Sequence, residues 1–162
     1  MKVDVESEEY KKSSENFKVA MRHIRGVHQI GEELALKLFE KGEMDFAKKL
    51  MINVLQHDIS KLSSPLEYEH LNDAQGEYFK LAKNEHQQKN SHHPEYWGGI
   101  ANMPELAIAE MCIDWYARAR EKGSSLRDWI KVTATKQFEF NTKSKVYKSI
   151  KKYVDMLLDP MF

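Results

Sequence analysis

The sequence predicts an all-α protein, a single-domain bundle of about five to seven helices. Three observations carry that prediction. Apolar residues recur at helical spacing along nearly the whole chain. No run shows the alternation of a strand, and β-branched residues are sparse. The breaks between apolar runs carry Ser, Gly and Pro where helices begin and end.

A first helix is predicted to start at Ser13 or Ser14, either of which can cap it, and to run to about Phe39 past Gly26 and Gly31. Phe17, Met21, Ile24, Val27, Leu34 and Leu38 form its apolar stripe, and Lys41-Gly42-Glu43 ends it. A second helix spans about Asp45 to Asp58, with Phe46, Leu50, Val54 and Leu55 on one face and His57 on the same side. "LSSP" breaks the chain. Helical pattern resumes near Leu66, is interrupted at Asn72-Asp73, and continues to Gln88. The loop "KNSHHPEYWGGIANMP" carries two histidines and a tryptophan, more chemistry than a plain connection needs. Pro104 suits the first turn of a fourth helix, Glu105 to Arg120. Ser124 or Ser125 caps a fifth. A sixth, Thr142 to Leu158, turns Val146, Ile150, Tyr153 and Leu157 inward and most of its lysines outward, as a solvated amphipathic helix or a phosphate-attracting rim.

The chain has 162 residues and is 41% hydrophobic, sufficient for one domain with a real core. Its 25 basic and 25 acidic side chains balance, which argues against a nucleic-acid binder working through phosphate charge. Cys112 is the single cysteine, so no internal disulfide forms, which fits a reducing compartment. "MKVDVESEEYKK" lacks the apolar core of a signal peptide, and no apolar run is long enough to span a bilayer. The expectation is a cytoplasmic protein without membrane contact.

The histidines and inward aspartates follow in order: His23, His57-Asp58, His86, His92-His93, Asp114. Each has a plain alternative. His23 alone reads as a hydrogen-bonded core histidine, and His28 competes with it from another side of the helix. His57 and Asp58 suit a helix end, where the dipole favours histidine. His86, His92 and His93 can be solvated, and His70 reads as surface. Asp114 is hardest to dismiss: it lies in the apolar "EMCIDWYA", where an unpaired buried carboxylate is very costly. Imidazole and carboxylate without thiolate suit Mn, Fe, Co, Ni or Zn. His23, His57, Asp58 and Asp114 suffice for one divalent ion, and His86 with His92, His93 or both can serve a second. Glu110, one turn before Asp114, can orient a ligand histidine or simply pair with Arg118 or a lysine. Tyr96 and Trp97 can wall a pocket, or Trp97 can plug the core.

In this order the residues resemble the HD superfamily of metal-dependent phosphohydrolases. The matching elements are a helical His (His23), an adjacent His-Asp at a helix end (His57-Asp58) and a late Asp on another helix (Asp114). "HDISK" is similar to the HD-x-x-K form, in which the lysine meets substrate phosphate; Lys61 is that match. "HHPEYWGG" lacks the Gly-Tyr-Pro signature of the HD-GYP branch. The chain looks closer to small HD-like proteins of phages and bacteria. The shared elements are H-x-x-x-V (His23 to Val27), HD-x-SK (His57 to Lys61), H-x-x-x-N-x-HH-x-x-YW (His86 to Trp97) and EM-x-x-DW (Glu110 to Trp115). The first favours His23 over His28. The resemblance covers about Arg22 to Trp115.

It implies an HD-like helical domain that hydrolyses a nucleotide or other small phosphoester through a metal-bound hydroxide. Asp58 would bridge two ions or anchor one, and Lys61 would neutralise phosphoryl charge. The same ligand set serves HD-type di-iron oxygenases, and a third reading is a metal-stabilised binding module. The resemblance leaves the substrate, the metal and the oligomeric state open.

Overall fold

The computed structural model describes residues 3–160. The fold is all-α, and no strand occurs among the described residues. Its spine is α1 (Glu8–Glu40), 33 residues long. It starts earlier than the sequence predicts because Ser7, not Ser13 or Ser14, caps it: the Ser7 hydroxyl accepts from the Tyr10 amide, with Glu8 and Glu9 in the first turn. Ser13 instead faces α4 (Pro65–His70), where the Tyr68 hydroxyl donates to its carbonyl at 2.7 Å. At this end buried Asn16 replaces Phe17, which is half exposed.

α2 (Met44–Gln56) lies along α1 and buries Ala47, Leu50 and Val54. Leu55, one residue round from Val54, is exposed, contrary to the predicted face. Gly31 of α1 lets the two helices meet: a Cβ there would stand 2.5 Å from Val54 Cγ1. In an open helix Gly→Ala stabilises by about 1 kcal/mol. Here Gly31→Ala is expected to lower stability by about 1–3 kcal/mol through overpacking. Denaturant midpoints should show the loss, and Val54→Ala in the same chain should recover part of it.

After α2 the backbone turns sharply. His57 is the C-cap, and Asp58 adopts a left-handed φ of 57°. The "LSSP" break is shorter than predicted. A single turn, α3 (Ser60–Ser63), leads to Ser64, whose hydroxyl caps α4. Residues 71–78 form turns, a longer break than the Asn72-Asp73 interruption the sequence predicts, and α5 (Phe79–Lys89) follows. The 90–104 loop holds two 3₁₀ turns, Pro94–Trp97 and Ile100–Asn102.

α6 (Glu105–Lys122) packs on α1, α2 and the last helix, and Gly123 closes it with φ 63°. Ser125 caps α7 (Leu126–Trp129), which runs through a π-helical turn at Ile130–Ala134 into α8 (Thr135–Phe138). α9 (Lys145–Leu158) is capped by Ser144 and buries Ile150, Tyr153, Val154 and Leu157, while its lysines stay exposed. Two polar contacts anchor it. The Tyr153 hydroxyl donates to Glu105 at 2.9 Å, and Lys37 of α1 donates to the carbonyls of Met156 and Asp159. One apolar core runs from Val27 to Leu157, and none of the described helices is long and apolar enough to cross a membrane.

Candidate metal centre

α1, the α2–α3 turn, α5, the 90–104 loop and α6 converge on one buried group of imidazoles and carboxylates. The structure brings together every predicted ligand: His23, His57, Asp58, His86, His92, His93 and Asp114. All but the half-buried His93 are buried. The turn after α2 explains how neighbours in sequence both face inward. His57 leaves the helix and Asp58 reverses the chain in the left-handed region that Asp tolerates better than most residues.

Asp58 is the pivot. Its Oδ2 lies 3.2 Å from His23 Nε2 and 3.4 Å from His57 Nε2. Its Oδ1 lies 3.4 Å from both His86 Nε2 and His92 Nε2. Asp114 Oδ1 completes the first side, 2.9 Å from His23 Nε2 and 3.7 Å from His57 Nε2. Two donor atoms that share one ion at about 2.0–2.2 Å stand about 2.8–3.6 Å apart at octahedral or tetrahedral angles. The separations on both sides of Asp58 fall close to that range.

The outer side of each ring but that of His93 meets a carboxylate. His23 Nδ1 meets Glu121 at 2.6 Å, His57 Nδ1 meets Glu110 at 2.9 Å, and His86 Nδ1 meets Glu67 at 2.9 Å. Glu110 also stands 3.4 Å from His92 Nδ1. With Nδ1 engaged by a carboxylate, Nε2 is left to point inward, the usual orientation of a metal-ligating histidine. Nε2 of His23, His57 and His92, Oδ1 of Asp58 and Oδ1 of Asp114 are buried without a hydrogen bond, and Asp58 Oδ2 is balanced by the Lys61 ammonium. Each such atom costs about 1–3 kcal/mol if left unpaired. A cation in their midst removes that cost, so these groups can hold a metal ion.

The electrostatics divide the cluster. Burial works against a proton on His23, yet the carboxylates of Asp114, Asp58 and Glu121 outweigh it and raise its pKa to about 9. His57 is likewise held well above its ordinary value: burial opposes, and Asp58, Asp114 and Glu110 prevail. Asp58 and Asp114 sit well below the usual carboxylate range despite burial. His57 and Lys61 act on the first, His23 and His57 on the second. Glu110 is drawn down to about 2 against its burial by His57 and His92. Burial, then the charges of His57 and His92 respectively, pushes His92 down and His93 down to about 3. His92 and His93 are thereby held in the neutral form in which an imidazole can ligate a metal.

The metal-free protein is therefore expected to lose stability from pH 6.5 to 9. Raised histidine pKa values contribute fully below the unfolded value and are lost as pH passes the folded one. The depressed carboxylates are ionised in both states across that window, and His92 and His93 are neutral in both above about pH 7.5, so the loss is steepest from there to pH 9. Metal affinity should rise over the same window, as His23 and His57 lose their protons. Melting temperatures of stripped and metal-loaded protein should therefore diverge toward alkaline pH; parallel curves would contradict the assignment.

Lys61 is buried, and its Nζ stands 2.5 Å from Asp58 Oδ2. Beside it a narrow cleft opens from the centre between α1, α4 and α6, lined by His23, Lys61, Glu67, Tyr68, Asn16, Asn72 and Arg118. Tyr96 and Trp97 do not line it. Tyr96 is exposed, and the Trp97 indole donates to the Ser91 carbonyl and packs on the core. His28 and His70 stand outside the cluster, His70 against Tyr78. Glu110 is no surface ion pair; Arg118 pairs with Glu121 instead.

Sequence reasoning missed Glu67 and Glu121. Glu121 had a signal: with Glu110, Asp114 and Arg118 it follows a four-four-three spacing, which puts all four on one stripe of α6. Glu67 had none, because α4 is only 6 residues long and shows no periodicity.

A model of a protein family matches residues 12–159, which takes in the C-terminal helices as well as the histidine motifs. No curated protein and no solved structure matches the chain. On that match, the chain belongs to a family of unknown function, DUF5662.

Proposed function

We propose that the protein is a metal-dependent phosphohydrolase of HD type acting on a small phosphoester. The observation that carries this reading is the division of Asp58 between two imidazole pairs, with a buried lysine against the same carboxylate. One carboxylate that reaches both sides is the arrangement a two-ion hydrolytic centre uses. The ions, drawn from Mn, Fe, Co, Ni and Zn, would supply a water that loses its proton near neutral pH and a contact for a phosphoryl oxygen.

This chain's own groups do the rest. His23, His57 and Asp114 would hold a first ion, and His86 with His92 or His93 a second, with Asp58 shared between the two sets. Glu121, Glu110 and Glu67 keep the rings aimed. Lys61 neutralises charge on the phosphoryl group as a fixed cation. Two cations at the cleft, Lys61 and Arg118, favour an anionic substrate over dioxygen, whose activation by a di-iron centre could use the same ligands. Metal analysis of protein purified without chelators, then a phosphoester panel with Mn²⁺, Co²⁺ or Ni²⁺, tests the reading. Metal-dependent release of phosphate is the expected result. Stoichiometric iron with O₂-dependent turnover and no phosphatase activity would overturn it.

A further inference from the structure

We infer that Ser60 and Asn90 are positioning residues for the second ion: their hydrogen bonds fix Glu67, and Glu67 fixes His86 with Nε2 as its ligating nitrogen; this rests on the two-ion phosphohydrolase reading. Both residues sit inside the histidine motifs, Ser60 in "HDISK" and Asn90 one helical turn after His86. Neither belongs to the groups that could hold a metal themselves.

The need for such a device follows from α5. Of its 11 residues only Ala82 and His86 are buried, so apolar packing gives the helix little hold. Polar contacts tie it down instead. The Ser64 hydroxyl donates to Glu85, and Glu67 of α4 meets His86 Nδ1 at 2.9 Å. Glu67 is itself buried, and its Oε2 also accepts from the Ser60 hydroxyl at 2.7 Å. Asn90 caps α5 and closes the network: its side-chain nitrogen donates to Ser60 Oγ at 2.9 Å and to the His86 carbonyl at 2.8 Å.

Counting donors along this network leaves one arrangement. Asn90 must turn its NH₂ to the His86 carbonyl, since its own oxygen there would face another acceptor. Its two N–H groups are then engaged, one on that carbonyl and one on Ser60 Oγ, and none remains for His86 Nδ1, 3.2 Å away. Ser60 has a single O–H, and Glu67 takes it. The Glu67 carboxylate can only accept, so His86 Nδ1 must donate to it. A neutral imidazole with its proton on Nδ1 presents a bare Nε2, and here that atom lies 3.4 Å from Asp58 Oδ1. The network therefore runs from the turn that carries Asp58 to the helix that carries His86, and holds the two in one frame. Glu110 and Glu121, behind His57 and His23, lie outside it.

Calorimetric titration of Mn²⁺ into the metal-free protein, with elemental analysis of the loaded product, tests the assignment without turnover. The wild type is expected to take up two equivalents in two steps. Ser60→Ala and Asn90→Ala should each weaken the second step about 10–100-fold, the usual cost of removing an outer partner of a ligand, and leave the first within about twofold. Ser60→Thr keeps the hydroxyl and should restore the second step. Both steps weakened together would make the pair structural and overturn the assignment. Two full-affinity steps in both alanine variants would overturn it as well, and leave the hydrolase reading standing. A single equivalent in the wild type would overturn the assignment and the two-ion centre together. Selective loss of the second step, with no phosphoester turned over by the loaded wild type, would uphold the positioning pair and sink the hydrolase reading instead.

Discussion

Replacing Asp58 by asparagine is expected to empty the whole centre rather than half of it. Its two oxygens serve different imidazole pairs, Oδ2 toward His23 and His57 and Oδ1 toward His86 and His92. Asparagine tolerates the left-handed backbone at this position, so the turn after α2 should survive. The amide keeps one weak acceptor and turns an N–H toward one histidine pair. Metal content should fall below about a tenth of the wild-type value, in line with the loss of a charged bridging ligand. The metal-free variant should also be destabilised by about 3–5 kcal/mol, because Lys61 and the two raised histidines lose their buried counter-charge. Elemental analysis and denaturant midpoints read the two effects separately. A variant that retained one full equivalent of metal would show that Asp58 serves a single ion.

Lys61→Ala is expected to separate binding of metal from chemistry. The ammonium presses on Asp58 Oδ2, the oxygen that a first ion would use. Removing it should leave metal binding intact or tighten it. Phosphoester turnover should fall about 10²–10³-fold, the usual cost of removing one charge-stabilising donor from a site sheltered from water. Full activity in this variant would make Lys61 a counter-ion of the metal-free fold and nothing more. Weakened metal binding would place it among the groups that hold the centre together.

Much of this was legible in the chain, for identifiable reasons. Helical spacing located α2, α6 and α9 to within a few residues and the end of α5 to within one, because local hydrogen bonding and one apolar face decide such elements; the start of α5, at Phe79, lies well beyond the Asn72-Asp73 break. Asp114 stood out because a carboxylate in an apolar run demands a partner. His86 did not stand out chemically: "KNEHQQKN" reads as solvated, and only the order of the motifs singled it out. Phe17 and Leu55 were misread because periodicity shows that a helix has a face but not where its neighbours stop. Glu67 and Glu121 were missed because their histidines are 19 and 98 residues away in sequence. Outer partners of this kind are defined by the fold.

The burial of the cluster also bears on how an ion would come and go. Ligands drawn from α1, the α2–α3 turn, α5, the 90–104 loop and α6 enclose it from most directions, and the enclosed depth of the cleft is only ≈10 Å³, about one water molecule. Neither a hydrated ion nor a phosphoester passes such an opening as it stands, so both would wait for it to widen. Exchange would then depend on local opening of the segments that supply the ligands. Residence times would then be governed by the opening of protein segments. The identity of the bound ion would reflect which metal was at hand when the chain closed, more than the order of intrinsic affinities.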